Sequence, residues 1–107
     1  MALDIIRLRE EYDGPHHLLI TSDGVNLFLR KWEPKTETPR QSAILILHGL
    51  TAYSGPYYMI AEPLAERGFK VYGLDLRGHG LSDGNRGDCP SEERFVKDIC
   101  ETIKFVR

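Results

Sequence analysis

The sequence predicts an α/β fold, in which an antiparallel hairpin leads into parallel strands joined by a crossover helix. Three observations carry this. Ala43-Ile44-Leu45-Ile46-Leu47 is apolar without alternation, and a strand of that kind requires cover on both faces. A second such run, Phe69 to Leu74, follows a helical stretch, and strand, helix, strand in this order gives a parallel pair with a right-handed crossover. Upstream, Ser22-Asp23-Gly24 separates two β-like stretches, which is hairpin turn chemistry.

The elements follow in chain order. Residues 1 to 11 are interrupted by charge and lack a signal-peptide apolar region. Asp13-Gly14-Pro15 reads as a turn. The hairpin strands run from His17 to Thr21 and from Val25 to Trp32; the second alternates only loosely, which predicts a place near a sheet edge. Glu33 to Gln41 is polar, contains Pro34 and Pro39, and reads as a surface loop. The interior-type strand Ala43 to Leu47 ends in the small-residue turn His48-Gly49-Leu50-Thr51. Ser54-Gly55-Pro56 opens a helix, with Ser54 as its cap and proline tolerated in the first turn. Tyr57, Ile60 and Leu64 share its apolar face, Pro63 is expected to bend it, and Arg67-Gly68 stops it. A long loop, Asp75 to Pro90, holds Gly78, Gly80, Gly84 and Gly87. The last helix begins after Ser91 as N-cap, with Glu92 and Glu93 at the positive end of its dipole and Glu93 paired with Lys97. Phe95, Val96, Ile99, Cys100, Ile103 and Val106 form its apolar stripe.

Composition narrows the function classes. A chain of 107 residues holds at most one domain with a modest core. With 14 Lys+Arg against 16 Asp+Glu, nothing in the charge balance points to nucleic acid. Two cysteines, Cys89 and Cys100, are too few for a disulfide scaffold and read as reduced thiols. The longest apolar run is the five residues 43–47, too short to cross a bilayer, so no integral membrane segment is expected. The expected compartment is the cytoplasm.

Two stretches are candidates for chemistry. At the end of the Ala43–Leu47 strand, His48-Gly49-Leu50 could aim the Leu50 amide into a cleft as an oxyanion donor; the alternative is a plain strand-to-helix turn. In Asp75-Leu-Arg77-Gly78-His79-Gly80-Leu-Ser82-Asp83-Gly84, the pair Gly78 and Gly80 superficially suggests a dinucleotide fingerprint. That requires a helix to begin at once, and Gly84, Gly87 and Pro90 forbid one before Ser91. Gly80-Leu81-Ser82-Asp83-Gly84 also fits G-x-S-x-G, the nucleophile elbow. An elbow serine sits on a strained turn between a strand and a helix, whereas Ser82 lies well beyond its strand with no helix following. Ser82 is therefore read as a decoy. The favoured reading of the loop is structural, with Asp75 and Arg77 tying it to neighbouring backbone and His79 packing within it. No metal site is expected from His16, His17, His48 and His79. The first two point to opposite faces if extended, and no element carries a ligand-spaced pair.

Taken together, His48-Gly-Leu-Thr-Ala-Tyr-Ser-Gly55, Tyr57, Leu64-Ala-Glu-Arg-Gly68-Phe and Asp75-Leu-Arg-Gly-His-Gly-Leu-Ser82-Asp-Gly84 resemble the α/β-hydrolase superfamily. Within it, they are similar to the monoacylglycerol lipase, lysophospholipase and serine aminopeptidase-like branch. The hairpin with Asp23-Gly24, Leu27 and Trp32-Glu-Pro34 fits the same branch, and the resemblance covers about Leu18 to Val106. It implies the N-terminal part of an eight-stranded, mostly parallel sheet, a Ser-His-Asp triad and no cofactor. It makes the Leu50 amide one of two oxyanion donors, and gives His48, Gly49, Asp75, Gly78 and Gly80 a supporting role. His48 and His79 do not match the family's catalytic histidine. In the family, the helix matching Ser91 to Arg107 leads to the strand bearing the true elbow. Residues 1–107 are thus expected to be one domain's N-terminal portion, truncated before the nucleophile, holding no triad residue and inactive alone. The implied substrate is a carboxylic ester, such as a monoacylglycerol or lysophospholipid. His48-Gly49 followed by Leu-Thr favours this over branches with an aspartate nucleophile, which often carry proline there. A serine aminopeptidase or a non-catalytic interaction module are the alternatives. The strand Ala43 to Leu47 is expected to present an open apolar edge that pairs with the missing C-terminal portion or self-associates.

Overall fold

The hairpin forms because Thr21 and Gly24 close it. Thr21 N–H donates to the Val25 carbonyl at 2.9 Å, Gly24 N–H donates to Thr21 O at 2.9 Å, and Gly24 takes φ +82°, open to residues without a Cβ. The coordinates are a computed structural model that describes residues 4–37, 39–48 and 55–107. Strands β1 (His16–Ile20) and β2 (Asn26–Trp32) flank this turn. They pair antiparallel, with Leu18 opposite Phe28 and Ile20 opposite Asn26.

Next come β3 (Ala43–Leu47), a single 3-10 turn (Gly55–Tyr57), helix α1 (Tyr58–Glu66) and β4 (Lys70–Leu74). The predicted parallel pair is present, with Ala43 opposite Lys70 and Leu47 opposite Leu74. The sheet order is β1-β2-β4-β3. β2 therefore lies one strand in from the edge strand β1, near the edge as its loose alternation predicts, yet it is covered on both faces. Leu27, Phe28 and Leu29 are all fully buried, and burial on both faces removes the alternation that marks a half-exposed strand. Within the described sheet β3 is the edge strand opposite β1, with Ile44 to Ile46 half-buried and Ala43 and Leu47 exposed.

Helix α1 meets the sheet through small residues. Ala61 and Ala65 are its buried positions, whereas Ile60, predicted on the apolar face, is 52% exposed. Alanine lets the helix backbone come close to the sheet, and that rotates the larger Ile60 outward. The stop is as expected, since Gly68 adopts φ +95° and its N–H donates to Ala65 O at 3.0 Å. Ser54, the expected cap, lies outside the described residues.

Helix α2 (Glu92–Val106) is capped as predicted, the Ser91 hydroxyl accepting from Arg94 N–H at 3.0 Å. Its buried face differs from the expected stripe. Asp98 and Thr102 are the buried residues, while Val96 and Ile103 are half exposed and Cys100 is exposed. Phe95 and Val106 pack on a core of Leu27, Leu29, Tyr72, Leu74 and Leu76. Burial of each such leucine contributes about 1.5–3 kcal/mol.

One helix went unpredicted. Residues Ile5–Glu11 form a short N-terminal helix, with the Asp4 carboxylate accepting from Arg7 N–H. The Asp4 cap and the Arg7–Glu11 pair at 3.0 Å are its signals, and the scattered charge obscures them. Its Arg9 reaches Asp83 at 2.9 Å, which anchors the helix to the loop after β4.

Candidate active site

The site region lies where β3 and β4 end side by side. His48 follows β3 directly and is 5% exposed. Its Nε2 accepts a hydrogen bond from Leu76 N–H at 2.9 Å. This bond joins the residue that follows β3 to the chain leaving β4. Gly49 and Leu50 themselves lie outside the described residues, so the oxyanion amide has no stated position. The His79 ring stands 5.2 Å from that of His48, and its Nδ1 donates to Arg77 O at 2.9 Å.

The loop after β4 is sewn onto β2. Asp75 is fully buried, and its Oδ2 accepts from Leu81 N–H at 3.0 Å and from Arg30 Nη2 at 3.2 Å. These charge-assisted bonds tie the loop to β2 and to its own backbone. Gly78 N–H donates to Asp83 O at 2.8 Å, and Gly78 O accepts from Gly87 N–H at 2.7 Å. With φ +78°, a Cβ on Gly78 would stand 2.4 Å from Asn85 O and 2.6 Å from Asp88 O. Gly80 has φ +50°, and its carbonyl accepts from Arg86 Nη1 at 2.8 Å. The Gly78 amide is thus committed within the loop, and the next helix starts only at Glu92, the opposite of a pyrophosphate cradle.

Ser82 is fully buried. Its hydroxyl accepts from Phe28 N–H at 2.7 Å and donates to Asp75 O. Both functions of the hydroxyl are used inside the core, where it satisfies a β2 amide facing the loop. Ser82→Ala is expected to lower stability by about 1–3 kcal/mol, because it leaves that amide unpaired. Urea denaturation measures this.

Arg77 departs from expectation. It binds side chains instead of neighbouring backbone, with Nε 2.9 Å and Nη2 3.0 Å from the two Asp98 oxygens and Nη2 2.8 Å from Asp23. Arg94 adds a second guanidinium on Asp98 at 2.9 Å and also pairs with Glu101. Hydrogen bonds from Arg77 and Thr21 hold the Asp23 carboxyl well below the usual carboxylate range. The Asp98 partnership raises Arg77 further above its already high value. Sequence reasoning missed this cluster. Its one signal was Asp98, an acid interrupting a helical face between Phe95 and Thr102.

The remaining histidines serve as aromatic packing. His16 stacks on Phe28 at 4.8 Å and His17 meets Phe105 edge-on at 5.2 Å, on opposite faces of β1. A cavity of about 60 Å³ between the loop and α2, bordered by His79, Cys89 and Phe95, is far below the ~300–1,000 Å³ of ordinary ligand sites. No helix among the described residues is long and apolar enough to cross a membrane.

A hairpin feeding a parallel pair, a buried histidine directly after the first parallel strand and a glycine loop after the second define the N-terminal part of an α/β-hydrolase core. Comparison with known proteins agrees. The family described as Hydrolase_4, serine aminopeptidase, S33, matches residues 38–107, and the chain belongs to it. An uncharacterized abhydrolase domain-containing protein of Dictyostelium discoideum is 44% identical over 81 residues, covering 76% of this chain and 8% of that protein. The monoglyceride lipase of Homo sapiens is 36% identical over 91 residues, covering 85% of this chain and 29% of the lipase. The chain thus spans less than a third of either relative. A probable hydrolytic enzyme from Pseudomonas aeruginosa superposes with a TM-score of 0.73 at 22% identity, covering 90% of this chain and 31% of that one. That last likeness speaks for the fold.

Proposed function

We propose that the chain supplies the oxyanion half of a serine hydrolase that cleaves carboxylic esters of the monoacylglycerol or lysophospholipid kind. The observation that carries this is the 36% identity to human monoglyceride lipase over 85% of the chain, with His48 anchored at the end of β3. In this reading, the Leu50 amide holds the developing oxyanion. His48, Gly49, Asp75, Gly78 and Gly80 support it. The serine nucleophile, histidine base and acid come from sequence beyond Arg107, and residues 1–107 alone are inactive. The open β3 edge pairs with that remainder, or with a second copy when it is missing. The protein acts in the cytoplasm, without nucleic acid, metal or cofactor.

The family's description favours a second reading, a serine aminopeptidase. An assay of the native gene product against a 1-monoacylglycerol, a lysophosphatidylcholine and an aminoacyl arylamide separates the two. Release of fatty acid is the expected result. Cleavage of the arylamide alone would establish the aminopeptidase. Turnover of none would favour a non-catalytic interaction module.

A further inference from the structure

The middle of α2 faces inward with polar residues, not apolar ones. Asp98 and Thr102 are its buried positions, while Val96, Ile103 and Phe105 stay substantially exposed. Phe95 and Val106 touch the core near its two ends, and apolar contacts of that kind tolerate sliding and rotation. The central contact does not. Arg77, 6% exposed, presents Nε and Nη2 to both oxygens of Asp98 at 2.9 and 3.0 Å, a planar two-point fork that fixes direction as well as distance.

The same guanidinium bonds Asp23 in the β1–β2 turn at 2.8 Å. That turn is itself held to α2, since Ser22 N–H donates to Glu101 at 2.8 Å and Arg94 donates to the Ser22 hydroxyl at 3.1 Å. Arg94 also donates to Asp98 at 2.9 Å and to Glu101. Three segments distant in sequence, the hairpin turn, the start of the glycine loop and α2, therefore share one cluster. It holds two arginines against three carboxylates. Arg77 bonds both other segments, as does Asp23, which also pairs with Arg94 at 3.5 Å. Only Arg77 does so with a two-point fork among the described residues, and just before it Asp75 and Leu76 tie the same stretch to β2 and to His48.

We infer that Arg77 is a positioning residue that sets the register of α2 against the His48 turn, and so places the nucleophile-bearing strand after α2 relative to the oxyanion donor. This rests on the proposed ester-hydrolase reading. Arg77 touches no substrate in it. Its effect is transmitted through Asp98, and a small misplacement of reacting groups costs about 10²-fold in rate.

The test uses the native gene product and its Arg77→Lys variant, which keeps the positive charge but cannot make the fork. Glu93→Gln, at an exposed ion pair of α2 with Lys97, serves as control. Two readouts are taken: kcat and KM per serine titrated with a fluorophosphonate, and amide hydrogen exchange by segment. Arg77→Lys is expected to leave the number of titrated serines and KM unchanged, and to lower kcat per titrated serine about 10²-fold. Amides of α2 should exchange about tenfold faster while those of β2 and β4 keep their rates. The control should match the wild type in both. Unchanged kcat per titrated serine, or faster exchange spread equally over β2 and β4, would reduce Arg77 to a general stabiliser and overturn the inference. If the wild type itself titrates no serine, the ester-hydrolase reading fails, and the exchange pattern still decides whether Arg77 sets the place of α2.

Discussion

Gly78→Ala is expected to lower the free energy of unfolding by about 3–5 kcal/mol. An L-residue forced into the left-handed region costs about 1–2 kcal/mol, and crowding a packed site typically adds about 1–3 more. Here the crowding is severe, because the new methyl would meet two backbone carbonyls, Asn85 O at 2.4 Å and Asp88 O at 2.6 Å. Neither can swing aside as a side chain can. The loop must shift, and with it the Gly78 N–H to Asp83 O and Gly87 N–H to Gly78 O bonds. Gly87 is the natural comparison, with nearly the same φ, +76°, and no atom within 4 Å of its would-be Cβ. Gly87→Ala should therefore cost only the backbone part, about 1 kcal/mol. Urea denaturation of the two variants measures the difference. Equal losses at the two glycines would show that φ alone matters and that the loop is not closed around Gly78.

Leu50→Pro is expected to lower kcat of the native gene product by about 10²–10³-fold. That is the usual loss when one oxyanion donor is removed, because the remaining donor must hold the charge alone. Proline removes the one atom in question, the amide hydrogen. Leu50→Ala keeps it and should keep kcat within about threefold. Steady-state kinetics on a monoacylglycerol compares the pair. If proline and alanine behave alike, Leu50 N–H does not contribute to the transition state.

Much of the fold is legible in the sequence where local chemistry and tertiary context agree. Ala43 to Leu47 can be read as a parallel strand because five apolar residues in a row leave no solvent face. Ser91 and Arg67-Gly68 mark helix ends because orphan amides and carbonyls require a cap or a left-handed residue there. The depth at which β2 is buried was not legible, since loose alternation fits both a half-exposed strand and one covered on both faces. Nor was the inward face of α2. Periodicity assigns burial to apolar residues, and here Asp98 is buried by a partner twenty-one positions upstream, Arg77, which no local pattern reveals.

At the candidate site, the sequence suggests that Asp75 ties its loop, and the bonds that do so join it to Arg30 and Leu81. That Ser82 is held by Phe28 N–H depends on how β2 lies against the loop after β4, a pairing of segments more than fifty residues apart. The resemblance to G-x-S-x-G is local and says nothing of that pairing.

On the proposed reading, residues 1–107 carry oxyanion support and no nucleophile. The decisive experiment is to react the native gene product with a fluorophosphonate, digest it and map the modified serine by mass spectrometry. A single adduct on a serine beyond residue 107 is expected, and none on a chain of residues 1–107 alone. An adduct on Ser82 would overturn the reading.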